Sequence, residues 1–293
     1  MWNRNALGAT AILLVIVSAS ACASSSVSTH GSHGMTDPSE STMSGMTDGM
    51  SDGSGVTAPQ GLTSDMNGYR LVTHRTQVSS GAPATFTFTI QDSAGKAVTN
   101  YAVENDKKMH LIVLRKDLTG YQHLHPELAT DGTWSVRLTL NDAGPYRVFA
   151  DFLPQKVADA SGSPVVLGAD VSVPGSYAPR SLPGPARSAS ADGYVVTLDG
   201  TAAAGAETML TYTVKKDGKP VTNLEPYLGS LGHLVSIRAS DLGYTHTHPM
   251  AADGGGPDVS FHVSFATAGS YRQFFQFQTN GKVHTVAFTL VAA

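Results

Sequence analysis

Beyond residue 61 the chain runs through nearly the same phrases twice, which confines it to two copies of one fold. The first copy opens GYRLVTHRTQVSSGAPATFTFTIQDSAGKAVTN (68–100) and the second GYVVTLDGTAAAGAETMLTYTVKKDGKPVTN (193–223). They close on AGPYRVFADF (143–152) and AGSYRQFFQF (268–277). Between them four prolines fall between Pro174 and Pro185, the composition of a semi-extended linker with no core of its own.

Within each copy the pattern has period two. TFTFTI (85–90) and TMLTYTV (208–214) alternate apolar and polar residues, rich in β-branched and aromatic types. Turn signals such as Asp131-Gly132 and Asp217-Gly218 punctuate the runs, and no segment after 61 sustains a helical period. About seven short strands in a little over 100 residues fit an antiparallel sandwich of immunoglobulin size. The expected fold is therefore all-β: two tandem immunoglobulin-like sandwiches, at 61–175 and 191–293, joined by a Pro-rich linker at 176–190. Trp134, Tyr146 and Tyr271 are expected core anchors.

The beginning of the chain has a different character. Residues 1–22 carry Arg4, an apolar stretch from Ala6 to Val17, and then Ala19-Ser20-Ala21-Cys22. The stretch is short for a membrane span, which needs about 20 apolar residues, and reads as an export signal. The tail resembles a bacterial lipobox, and Cys22 is the sole cysteine of 293 residues. The expectation is lipidation at Cys22 (palmitate among the acyl chains) and anchoring to the outer face of the cell membrane. Residues 23–60, dominated by Ser, Gly, Thr and Asp, read as a disordered tether. That tether carries His30, His33, Met35, Met43, Met46 and Met50, thioether and imidazole groups that together suit Cu(I).

The most informative phrases are MHLIVLRKDLTGYQHLHPE (109–127) and GHLVSIRASDLGYTHTHPM (232–250). Each reads His, twelve residues, His, one residue, His, Pro: His110, His123 and His125 in the first copy, His233, His246 and His248 in the second. Residues i and i+2 of a strand share a face. In a hairpin that sets Leu114 opposite Tyr121, His110 also comes opposite His125. The same construction sets Ile237 opposite Tyr244 and His233 opposite His248. Three convergent imidazoles suit Cu(II) or Zn(II). Asp151 is an additional candidate ligand, with Gln276 as its counterpart, and Met250 is a candidate for a Cu(I) site. His74, His262 and His284 lack equivalents in the opposite copy and are expected to be structural or solvent-facing.

The exported sandwiches, the Met/His tract and the paired His-x-His-Pro hairpins resemble bacterial extracytoplasmic copper-handling β-sandwich proteins of the CopC and YtkA-like kind. The resemblance implies a cupredoxin-like sandwich that sequesters or delivers copper, with zinc as the alternative ion, and a metal transporter or metalloprotein acceptor as partner. In the CopC family a free N-terminal histidine helps to bind Cu(II). Here the expected mature N-terminus is acylated Cys22, which leaves the hairpin histidines to form any site. The second reading is a tandem immunoglobulin-like adhesion or protein-interaction lipoprotein without metal. No enzyme is expected, since no G-x-S-x-G, H-E-x-x-H or paired catalytic carboxylates occur in a plausible context. With 19 Lys+Arg, net charge −4 and no basic run, nucleic acid is not an expected partner.

Overall fold

A computed structural model of the protein describes residues 59–245, 247–251 and 254–293. The signal, Cys22 and the Met/His tether (His30, His33, Met35, Met43, Met46, Met50) lie outside the described residues, as does His246. Among the described residues no helix is long and apolar enough to cross a membrane.

The first repeat contributes β1 (Asp65–Met66), β2 (Tyr69–Thr73), β3 (Ala84–Gln91), β4 (His110–Arg115), β5 (Gln122–Leu124), β6 (Glu127–Leu128), β7 (Thr133–Leu138), β8 (Gly144–Phe152) and β9 (Val165–Val173), with a one-turn helix at Gln155–Asp159. The second contributes β10 (Ser188–Ala191), β11 (Tyr194–Asp199), β12 (Ala206–Lys216), β13 (Lys219–Pro220), β14 (His233–Arg238), β15 (Tyr244–Thr245), β16 (Thr247–Pro249), β17 (Asp258–Phe265), β18 (Gly269–Thr279) and β19 (Lys282–Ala292). In each repeat an outer sheet (β1-β2-β3-β7-β6, or β10-β11-β12-β17-β16 with β13 beside β12) packs on a four-stranded sheet (β5-β4-β8-β9, or β15-β14-β18-β19). The fold is two antiparallel sandwiches in tandem.

Each sandwich has its own core. Trp134, Phe86, Phe88, Tyr101 and Tyr146 anchor the first, and Tyr212, Phe261, Phe275 and Tyr271 the second. Tyr146 donates its hydroxyl to the Asp142 carbonyl and Tyr271 to that of Thr267, four residues upstream in both cases. Both therefore form the tyrosine corner of immunoglobulin-like sandwiches.

A third core lies where the four-stranded sheets of the two repeats meet. Ile112, Leu114, Leu118, Phe149 and Val166 of the first pack with Val235, Ile237, Leu242, Tyr244 and Phe274 of the second. In β4, Leu111 and Val113 enter the first repeat's core, while Ile112 and Leu114 enter the shared one. The strand is buried on both faces, which is why HLIVLR is continuous and not alternating. The packing is reciprocal. Tyr121 stacks on Phe274, with centroids 4.1 Å apart and planes 9° apart, and its counterpart Tyr244 packs on Phe149 at 5.7 Å.

The start of the described chain ties the same seam. Gln60 exchanges backbone hydrogen bonds with Tyr244 of the second repeat, while its side-chain oxygen accepts from the Val166 amide of the first. Gly61 follows at φ +71, where a Cβ would lie 2.5 Å from the Phe149 ring, so glycine is what this close approach admits.

Candidate metal centre

The first hairpin has the register that aligns its histidines. Leu111 faces Leu124 and Ile112 faces His123, which sets His110 level with His125. Because Ile112 faces the second repeat, His110, His123 and His125 do so too. Met109, one residue before His110, is turned into the first core. Candidate ligand atoms of the three histidines all lie within 4.8 Å of one another.

The second repeat completes this cluster from across the seam. The ring of His233 lies 4.6 Å from that of His123 and 5.7 Å from that of His110, centroid to centroid. Gln276 accepts a hydrogen bond from Nδ1–H of His123 at 2.7 Å. The Nε2–H of His110 donates to the Glu104 carbonyl at 3.0 Å. These two acceptors fix which nitrogen of each ring carries the proton. They leave His110 Nδ1 and His123 Nε2 facing each other at 3.0 Å.

The proton count at that contact is decisive. A neutral imidazole has one N–H, and in each ring it is already committed to an outer acceptor. A hydrogen bond between the rings would need a third proton, making one of them cationic. Burial pushes the pKa of His123 well below the ordinary histidine value, and the neighbouring imidazoles of His233, His110 and His125 lower it further. When both rings are neutral, two lone pairs therefore point at one another. Burial also lowers His125, to about 4, and its Nε2 is buried with no hydrogen-bond partner among the described residues. Lone pairs converging at close range, with outer N–H groups anchored on oxygen, are what a cation bound by imidazoles requires. Tetrahedral ligation at 2.0–2.1 Å separates ligand nitrogens by roughly 3.3 Å, close to the 3.0 Å between His110 Nδ1 and His123 Nε2.

Asp151 faces His110 across β4 and β8 and is buried. Its carboxylate accepts from the Tyr244 hydroxyl at 3.1 Å, and burial raises its pKa to about 6. The three-histidine group closes without it. A cavity of about 20 Å³, lined in part by His110, Asp151, His233 and Tyr244, adjoins the cluster, room for one water-sized occupant.

Both repeats match one family. Residues 64–164 and 189–293 each align with the domain of unknown function DUF8832. The chain belongs to the DUF8832 family. A comparison with curated proteins gives no match. Among solved structures, the chain is similar to FdeC, an Escherichia coli adhesin, at 19% identity and TM-score 0.27, over 78% of this chain and 65% of that one. A Salmonella alpha-2-macroglobulin mutant matches at 14% identity and TM-score 0.27, over 81% of this chain and 15% of that one. Invasin, a bacterial integrin-binding protein, matches at 13% identity and TM-score 0.22, over 75% of this chain and 38% of that one. The chain thus spans less than two thirds of each, and at these TM-scores no function follows from the likeness.

The two DUF8832 repeats use their His-Pro phrases differently. In the second, Ile237 faces Tyr244 as expected, but β15 ends at Thr245 and the chain crosses to the outer sheet. His248 there faces His262 of β17 and is exposed, so it does not converge with His233. Met250 is on the same outer sheet face and does not approach the buried cluster. His233 thus joins the first repeat's histidines, and His246, the remaining member of the expected second triad, lies outside the described residues. The cause is where the chain changes sheets: in the first repeat β5 runs to Leu124 and the outer-sheet strand β6 begins only at Glu127.

Sequence reasoning missed the inward role of Gln276 and the Glu104 carbonyl. The unbroken apolar run Leu111–Leu114 was the available signal that β4 is covered on both faces. Of the remaining histidines, His74 is exposed, and His284 is buried between Asp192 and Thr279.

Proposed function

We propose that the chain is an exported, lipid-anchored metal-binding protein that holds copper, or alternatively zinc, between its two repeats for sequestration or delivery. His110, His123 and His125 would supply the imidazoles, with His233 as a fourth group from the second repeat. One observation carries the reading: His110 Nδ1 and His123 Nε2 face each other at 3.0 Å while the outer nitrogens of both rings are committed to oxygen acceptors. A bound cation would turn that lone-pair opposition into ligation. Glu104 and Gln276 would keep the rings oriented, and the shared apolar core beside them would exclude water. A transporter or acceptor metalloprotein would exchange the ion.

Calorimetric titration of the mature protein with Cu(II) and with Zn(II) tests this. Saturable binding of either ion is expected, lost in a His110→Gln/His123→Gln/His125→Gln variant. Binding that is absent in the parent, or unchanged in the variant, would overturn it. The second reading, a tandem immunoglobulin-like adhesion protein without metal, is what such a failure would leave. FdeC and invasin carry adhesin and integrin-binding descriptions, but at TM-scores of 0.27 and 0.22 they lend that reading no argument.

A further inference from the structure

We propose that the outer face of the second sandwich carries a separate, solvent-facing Cu(I) site built from Met209, His262, His248 and Met250. Three adjacent strands bring these residues together. Met209 of β12 faces His262 of β17, and His262 faces His248 of β16. Directly opposed residues share a face, with Cβ atoms about 4.5–5.5 Å apart. That face is the outer one, because Leu210, Phe261 and Val263 between them fill the core. Met250 lies two residues beyond His248 and so points the same way. Its amide donates to the Ser260 carbonyl at 2.9 Å, which keeps it level with that strand. Met209 and Met250 line one groove.

The imidazole at the centre of the row is already oriented. His262 Nδ1 lies 3.2 Å from a Glu207 carboxylate oxygen. A carboxylate on one ring nitrogen directs the lone pair of the other outward, as behind many metal-ligating histidines. Two thioethers and two imidazoles form a soft donor set, suited to Cu(I) more than to Zn(II). Met209 is 53% exposed and Met250 36%. A single exposed methionine needs no explanation, but two that flank paired histidines on a face also bearing Glu207, Thr211 and Ser260 form a constellation. The first repeat has no counterpart: there the row reads Thr85 facing Arg137. Exposure would suit this site to exchanging ions with a donor or acceptor.

The site stands apart from the buried histidine cluster, and its test separates the two. In the mature protein labelled at the methionine methyls, Met209 and Met250 signals are assigned through Met209→Leu and Met250→Leu. The protein is then titrated with Ag(I), a redox-inert stand-in for Cu(I), past saturation of every responding methyl. Both signals should move together and plateau at the same Ag(I) ratio. His262→Gln should weaken that response roughly tenfold or more, with unaffected methyl dispersion showing that the fold is intact. His110→Gln should leave it unchanged. Failure of either methyl to move, or an undiminished response in His262→Gln, would overturn the proposal.

Discussion

The imidazole of His233 lies nearly parallel to that of His110, with centroids 5.7 Å and planes 10° apart, although the two belong to different sandwiches. One histidine of the second repeat has thus been recruited to the first repeat's cluster, while its sequence partner His248 lies on the opposite sheet. Replacing His233 with Gln should weaken Cu(II) or Zn(II) binding at the cluster by roughly tenfold or more. His248→Gln should leave that affinity unchanged. Calorimetry on the two variants separates a shared centre from two independent triads, for which both substitutions would cost alike.

The cluster's orientation depends on a residue that carries no charge. Gln276 Oε1 accepts from His123 at 2.7 Å and its amide donates to Thr285 Oγ1 at 3.1 Å, so both ends of the side chain are held. Gln276→Ala should lower metal affinity by about 10–100-fold, the usual cost of losing such an outer partner. Gln276→Glu keeps an acceptor and should recover most of that loss. Equal affinity in the Ala variant would mean that His123 is positioned without Gln276.

Much of the site was legible because a hairpin is a local object. The spacing of His110, His123 and His125 and the period-two rule suffice to place them on one face once the register is chosen. The second hairpin shows the limit. Its near-register is the same, with Ile237 opposite Tyr244, yet from Thr247 the chain belongs to another sheet. That crossing depends on how long β15 stays paired, which spacing does not encode. Contact between the repeats was likewise hidden: His233 meets His123 only because Ile112, Phe149, Val235 and Phe274 form a shared core. Burial on both faces leaves a trace in sequence, as in HLIVLR, but the identity of the covering partner does not.

That shared core should make the repeats unfold together. Phe274 is 4% exposed and stacks on Tyr121 of the other repeat. Truncating a buried Phe to Ala costs about 3–5 kcal/mol, and here the loss falls on the seam. Urea unfolding followed by tryptophan fluorescence, which reports Trp134 in the first core, and by far-UV dichroism should give coincident transitions in the parent. In Phe274→Ala the two probes should separate. Coincident, unshifted curves in the variant would show that the seam contributes little to stability.

Acid should loosen the metal-free protein through the same histidines. Burial holds His123 well below the ordinary value of 6.5 and His125 at about 4. The unfolded chain therefore binds protons at these rings that the folded chain refuses, and their stabilising effect, full above pH 6.5, is lost as pH falls toward 4. Asp151 works in the opposite sense. Its folded pKa is raised to about 6 from 3.8, so its contribution is present at low pH and disappears as pH rises through 6. Each proton held by only one state changes stability by about 1.4 kcal/mol per pH unit. Between pH 6 and 4, two histidines opposing one carboxyl should give a net fall with acidification. Asp151→Asn keeps an acceptor for the Tyr244 hydroxyl but removes the opposing titration, so its fall should be steeper. Urea midpoints at pH 6.5, 5.5 and 4.5 for the two metal-free proteins measure this. Equal slopes would show that Asp151 does not titrate in that window.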